Sequence, residues 1–164
     1  MARSSPGVRR MCVGVLSPYP GLFEHACQAG GGTLYTERLA AETLDLGFAA
    51  PGADEAVLVQ DLIRALQRAA AKAAVNHPEI GGLVLAAFHV GITQVEGDQL
   101  RGRAVTRIVE LIRELAPNPT SMMQPVGTLI VGITTVLFND VRSECEFHED
   151  WAKMPASDAW YGIY

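Results

Sequence analysis

The chain has 164 residues, 49% of them hydrophobic and 19% charged, with a formal net charge of −5. That is enough chain and apolar side chain for one domain with a real core, and it excludes an intrinsically disordered protein. The acidic balance argues against a general nucleic-acid binder, which needs clustered Lys and Arg to neutralise phosphates.

Arg3, Arg9 and Arg10 precede an apolar run, but Ser17-Pro18 stops that run too early for a signal-peptide core or a membrane span. Residues 1–8 read as a disordered tail, leaving 9–164 as the folded domain. The run "MCVGVL" (11–16) reads as a first strand. Ser17-Pro18-Tyr19-Pro20-Gly21 cannot continue it, because proline lacks the donor N–H and fixes φ. "LFEHACQAG" (22–30) allows a short helix or loop, and Gly30-Gly31-Gly32 forms a flexible joint. Residues 33–48 read as a hairpin turning near Leu39–Glu42, since Leu34-Tyr35-Thr36 favours strand and Thr43–Phe48 alternates. The Ala-rich middle leaves a helix open there.

Residues 52–78 give the clearest helix. Asp54 is placed to cap it, and Val57, Leu58, Leu62, Ala65, Leu66, Ala69 and Ala73 recur as one apolar stripe. Arg64, Arg68 and Lys72 line a solvated face, and Asn76 and Pro78 end the helix. "GGLVLAAFHVGITQV" (81–95) is nearly all apolar, as expected of a central strand covered on both faces. Residues 99–115 form an amphipathic helix with Ala104, Val105, Ile108, Leu111, Ile112 and Leu115 inward, stopped by Pro117 and Pro119. Residues 127–141 read as a second long interior strand, and 145–154 and 159–164 as short edge strands. The order is β, short helix or loop, ββ, α, β, α, β, ββ: one α+β domain, a mainly antiparallel sheet with helices on one face.

Chemistry-bearing residues are few. Cys12, Cys27 and Cys145 are widely spaced, which predicts reduced, buried thiols in a cytoplasmic protein. His89 in its apolar strand reads as a core histidine bonded to a backbone carbonyl. Cys145-x-x-His148 is a lone pair, and neither a P-loop, GxGxxG nor GxSxG occurs, so no metal or cofactor is expected from the residues alone. Glu42 and Asp45 stand three apart on a strand and make a poor acid/base pair. Arg101, Arg103 and Arg107 cluster at the start of the second long helix. They read either as a phosphate site at a helix N-terminus or as a solvated face partnered by Glu96, Asp98, Glu110 and Glu114.

The stretch "LVLAAFHVGITQVEGDQLRGRAVTRIVELIREL" resembles the class III adenylate/guanylate cyclase pattern. His89 and Gly91 match its strand, Gly102 its loop glycine, and Val105 and Leu111 its helix. "ADEAVLVQDLIRALQRAAAKAAVN" fits the preceding helix. "TLIVGITTVLFNDVRSECEFHEDWAKM…AWYGIY" is similar to the tail of cyclase-like modules in actinobacterial regulatory proteins, where a strand and a short helix lead to two last strands. The resemblance covers about residues 42–164 and implies a ferredoxin-like βαββαβ core. It also implies pairing with a second copy or with a cyclase-like partner chain.

It implies losses too. The family holds two divalent metals on two aspartates, because hard oxygen ligands must position metal on a triphosphate. The first-strand position falls in Leu16-Ser17-Pro18-Tyr19, which has no carboxylate, and the hairpin position falls near Ala41-Glu42. In the helix, Thr106 and Glu110 stand where the family has a ribose-orienting asparagine and a charge-stabilising arginine. Glu110 would put negative charge where the transition state accumulates it.

The expectation is a non-catalytic, cyclase-like regulatory or assembly module of bacterial signalling, dimeric, and binding neither nucleic acid nor membrane. No catalytic residue is assigned. Arg101, Arg103, Thr106, Arg107, Glu42 and Asp98 are the candidate contacts for a nucleotide or phosphate ligand. The alternatives are an enzyme with altered nucleotide chemistry and an unrelated ferredoxin-like module.

Overall fold

A computed structural model of the chain describes residues 6–29, 35–38, 44–49, 54–96, 99–116, 125–147 and 150–164. The first strand, β1 (Val8–Leu16), starts inside the stretch expected to be a tail, and residues 1–5 lie outside the described residues. It is followed by α1 (Leu22–Ala29), the hairpin strands β2 (Tyr35–Arg38) and β3 (Leu44–Phe48), the long helix α2 (Glu55–Asn76) and β4 (Val84–Glu96). The turn expected at Leu39–Glu42 and the joint Gly30-Gly31-Gly32 lie outside the described residues.

β1 pairs antiparallel with β3 on one side and β4 on the other, and β2 pairs antiparallel with β3. The spatial order β2-β3-β1-β4 makes this a ferredoxin-like βαββαβ core with α1 and α2 on one face. After it come β5 (Gln99–Arg101), α3 (Arg103–Leu115), β6 (Leu129–Thr134), α4 (Thr135–Val141), β7 (Ala152–Lys153) and β8 (Ala159–Ile163). β6 extends the sheet parallel to β4, and β8 and β7 close its edge in antiparallel pairing.

Alternation along the strands divides the core. Met11, Val13, Val15, Val84, Ala86, Phe88, Val131 and Ile133 face α1, α2 and α4. Cys12, Leu44, Leu46, Leu85, Ala87 and Ile130 face the opposite way, onto Ala104, Ile108, Leu111, Ile112 and Leu115 of α3. The long apolar strand is therefore covered on both faces within the chain, as its composition requires. Asp54 caps α2 as its position predicts, its Oδ1 accepting from the Val57 N–H at 3.2 Å.

Three local expectations are corrected. The helix expected from residue 99 starts at Arg103, because Gln99–Arg101 pairs with Gln94–Glu96 as a hairpin strand. Gly102 makes the change of direction at φ +121°, and a Cβ there would sit 2.7 Å from the Ile92 carbonyl oxygen. The strand expected over 127–141 ends at Thr134, and Thr135–Val141 is helix. The Thr and Val residues there favour strand, but Leu137, Phe138 and Val141 at helical spacing bury together, and burial prevails. Of the edge strand expected over 145–154, only Ala152–Lys153 pairs among the described residues.

Candidate functional site

β4, β5 and the Gly102 turn deliver the first turns of α3 to the surface beside the β7–β8 turn. Arg101, on β5, is exposed, with Nη1 3.3 Å from Glu96 Oε2. Arg103 is exposed at the first position of α3. Thr106 is exposed, and its hydroxyl donates back to the Gly102 carbonyl at 3.4 Å.

Arg107 points elsewhere. Its Nη1 lies 3.3 Å from Glu114 Oε1 and 3.7 Å from Glu110 Oε2, and its Nη2 donates to Ser157 Oγ at 2.8 Å. Ser157 Oγ in turn donates to Glu114 Oε2 at 2.5 Å. The Arg107 side chain is only 21% exposed; its guanidinium pairs with two carboxylates of its own helix and, through Ser157, ties α3 to the β7–β8 turn. Arg101 is thus solvated and paired with Glu96, whereas Arg107 is paired with Glu110 and Glu114 but largely covered. Glu42 and Asp98 lie outside the described residues. Asp45 lies in β3, where it is close enough to Cys27, across the α1 face, to raise that thiol's pKa.

The end of β1 does not fit the family's metal pair. Leu16–Tyr19 holds no carboxylate, and the Ser17 hydroxyl accepts from the Tyr19 N–H at 3.0 Å, closing a local turn. Pro18 packs against Gly82, where a Cβ would sit 2.9 Å from the proline ring. Among the described residues, no group of three His, Cys, Asp or Glu is placed to hold a metal ion.

His89 lies on the α3 side of the sheet with Nδ1 2.7 Å from Thr134 Oγ1. Its partner is a side-chain hydroxyl rather than the backbone carbonyl expected. Burial, with the Arg107 and Arg9 guanidinium charges, holds its pKa below the ordinary imidazole value. The three cysteines are free and buried, as their spacing predicts. Burial pushes the Cys12 thiol up to about 12 and those of Cys27 and Cys145 to about 11, so none is a ready nucleophile.

Sequence reasoning missed Arg10, counted there only as one of three N-terminal charges. Its Nη1 donates to Thr93 Oγ1 at 2.8 Å, its guanidinium lies 5.3 Å from the centre of the Phe48 ring, and its Nε is buried without a hydrogen-bond partner among the described residues. The available signal was alternation: Arg10 shares the α3 face of β1 with Cys12.

No family model matches the sequence, and no curated protein matches it either. Solved structures do match in fold. An adenylate/guanylate cyclase/hydrolase from Silicibacter pomeroyi aligns over 94% of this chain and 96% of its own, with a TM-score of 0.56 at 12% identity. A bacterial light-regulated adenylyl cyclase aligns over 99% of this chain with a TM-score of 0.61 at 9% identity, and this chain spans 53% of that one. The catalytic core of a rhodopsin-guanylyl cyclase with converted specificity, in complex with ATPαS, aligns over 99% and 98% with a TM-score of 0.50 at 12% identity. The chain has the fold of class III nucleotide cyclase domains. Among the described residues, no helix is long and apolar enough to cross a membrane.

Proposed function

We propose that this chain is a non-catalytic cyclase-like module that regulates or assembles by pairing, with a second copy or with a cyclase-like partner chain. The observation that carries this reading is the state of α3. Glu110 stands where electrostatic catalysis by the family needs a cation, and Arg107, one turn earlier, is held by Glu110 and Glu114 instead of facing solvent. The β1 end, with its turn-closing Ser17, adds no metal carboxylate.

Support for pairing comes from the α3 face. Leu16, Phe48, Leu83, Val105, Val109 and Ile163 are only partly buried around its core and form an apolar rim that a partner surface would cover. The rhodopsin-guanylyl cyclase core was solved with ATPαS. For this chain a nucleotide or phosphate ligand is proposed at the start of α3. Arg103 is its most available contact among the described candidates, with Arg101, Thr106, Arg107, Glu42 and Asp98 completing the proposed set. Buried thiols and an acidic surface fit a cytoplasmic protein that binds neither nucleic acid nor membrane.

Mass spectrometry of ATP and GTP incubated with the protein and Mg²⁺ or Mn²⁺ tests the reading. No cyclic nucleotide above the protein-free control is expected. Metal-dependent formation of cyclic AMP or cyclic GMP overturns it in favour of an enzyme with a rebuilt site.

A further inference from the structure

Arg10 stands on β1 where that strand runs past its last pair with β3, on the face that α3 covers. Its guanidinium is held from two sides. Nη1 donates to Thr93 Oγ1 at 2.8 Å, the Thr93 hydroxyl donates onward to the Val8 carbonyl at 3.1 Å, and the Phe48 ring centre lies 5.3 Å away. Nε is enclosed, whereas Nη2 is neither enclosed nor hydrogen-bonded among the described residues, so Nη2 is the nitrogen that a partner can reach.

This half-buried cation pairs with no carboxylate among the described residues, although the chain carries 18 Asp and Glu. Its neighbour Arg9 has Asp140 at 3.8 Å, and Arg107, the other arginine held by hydrogen bonds, has Glu114 at 3.3 Å. Arg10 has lost part of its hydration without gaining a counter-ion. Because Thr93 and Phe48 already fix it, a carboxylate meeting Nη2 would cost the side chain little further freedom.

Charge around α3 is two-sided. Strand order puts Arg10 and Phe48 on the β3 side of β4 and the β7–β8 turn on the other side. On α3, Glu110 and Glu114 lie on the flank that turns toward Ser157, which leaves Val105 and Val109 on the flank toward Phe48 and Arg10. Glu110, 55% exposed, and the exposed Asp158 give the far flank free carboxylate surface. A cation on one flank of a helix and exposed carboxylates on the other complement a second copy turned about a two-fold axis.

We propose that Arg10 is the charged anchor of the α3 pairing surface and takes a carboxylate from the acidic flank of a second copy of this chain. Phe48, Val105 and Val109 form the apolar surround that keeps water from the pair. This rests on the proposal that the chain works by pairing, and adds which partner is chosen and by which group.

The test is sedimentation equilibrium of the full chain at about 0.05 M and about 0.5 M NaCl, conditions of weak and strong screening. Two copies that each carry a net charge of −5 repel, so salt should tighten a dimer held by apolar contacts alone. With Arg10 paired across the interface, the dimer should instead weaken as salt rises. Arg10→Gln should weaken the low-salt dimer about tenfold, the scale of one charge-assisted hydrogen bond, and should remove or reverse the salt effect. Arg10→Glu should weaken it further. The salt response of the wild type needs no substitution, so the test stays decisive even if loss of the Thr93 bond disturbs the fold. A wild-type dimer that tightens with salt, or an Arg10→Gln dimer as strong as the wild type, would overturn this proposal and leave pairing itself standing. A wild-type monomer at every concentration would overturn both.

Discussion

Arg107 and His89 show how single residues take their roles from neighbours far along the chain. Arg107 is three residues from Glu110 and seven from Glu114, but Ser157, which completes its network, is fifty residues away. The carboxylates were readable as helix neighbours; the serine was not, because only the β7–β8 turn brings it there. His89 likewise meets Thr134 through the parallel pairing of β4 with β6. Its folded pKa lies below the ordinary value near 6.5. Above the ordinary value both folded and unfolded states hold the neutral ring, and the stabilising contribution is complete. As pH falls, the unfolded state takes up the proton first, and stability is lost down through the folded pKa. Urea midpoints should therefore fall as the pH drops below the ordinary imidazole value, and less steeply in His89→Asn, which keeps a group able to bond Thr134. Parallel curves for the two proteins would show that His89 does not supply this dependence.

At the scale of elements, legibility followed periodicity. α2 could be read because its stripe runs for many turns and Asp54 stands at its cap. α4 could not be read from propensity, because its seven residues are rich in Val and Thr and become helical only by burying Leu137 and Phe138; the family resemblance, which implies a short helix there, was the better guide. The start of α3 was obscured because β5 and the helix run together in sequence, separated only by Gly102. The seating of α3 depends on a second glycine. A Cβ at Gly14 of β1 would collide with Ile108 Cγ2, which belongs to a β-branched side chain with little freedom to yield. Gly14→Ala should cost about 1–3 kcal/mol, the range for overpacking a filled core. The measurement is the urea midpoint, and an unchanged midpoint would mean that α3 shifts freely on the sheet.

For the whole molecule, the fold was largely legible and the site only in part. Alternating strands and the two long amphipathic helices gave an α+β domain, the family resemblance implied the βαββαβ core, and β1 at its centre pairs on both sides as that topology requires. The candidate site was legible as losses, in Thr106 and Glu110, because a missing residue type is visible without geometry. Who partners each arginine was not, since a charge run looks the same whether its cations face solvent or their own helix. The proposed role of the fold is pairing through the apolar rim around α3. Sedimentation equilibrium of the purified chain over a wide concentration range tests this most directly, run with and without nucleotide. The expected result is a concentration-dependent dimer that weakens when the rim residue Val109 is changed to Glu. A monomer at the highest concentration, with or without nucleotide, would contradict it.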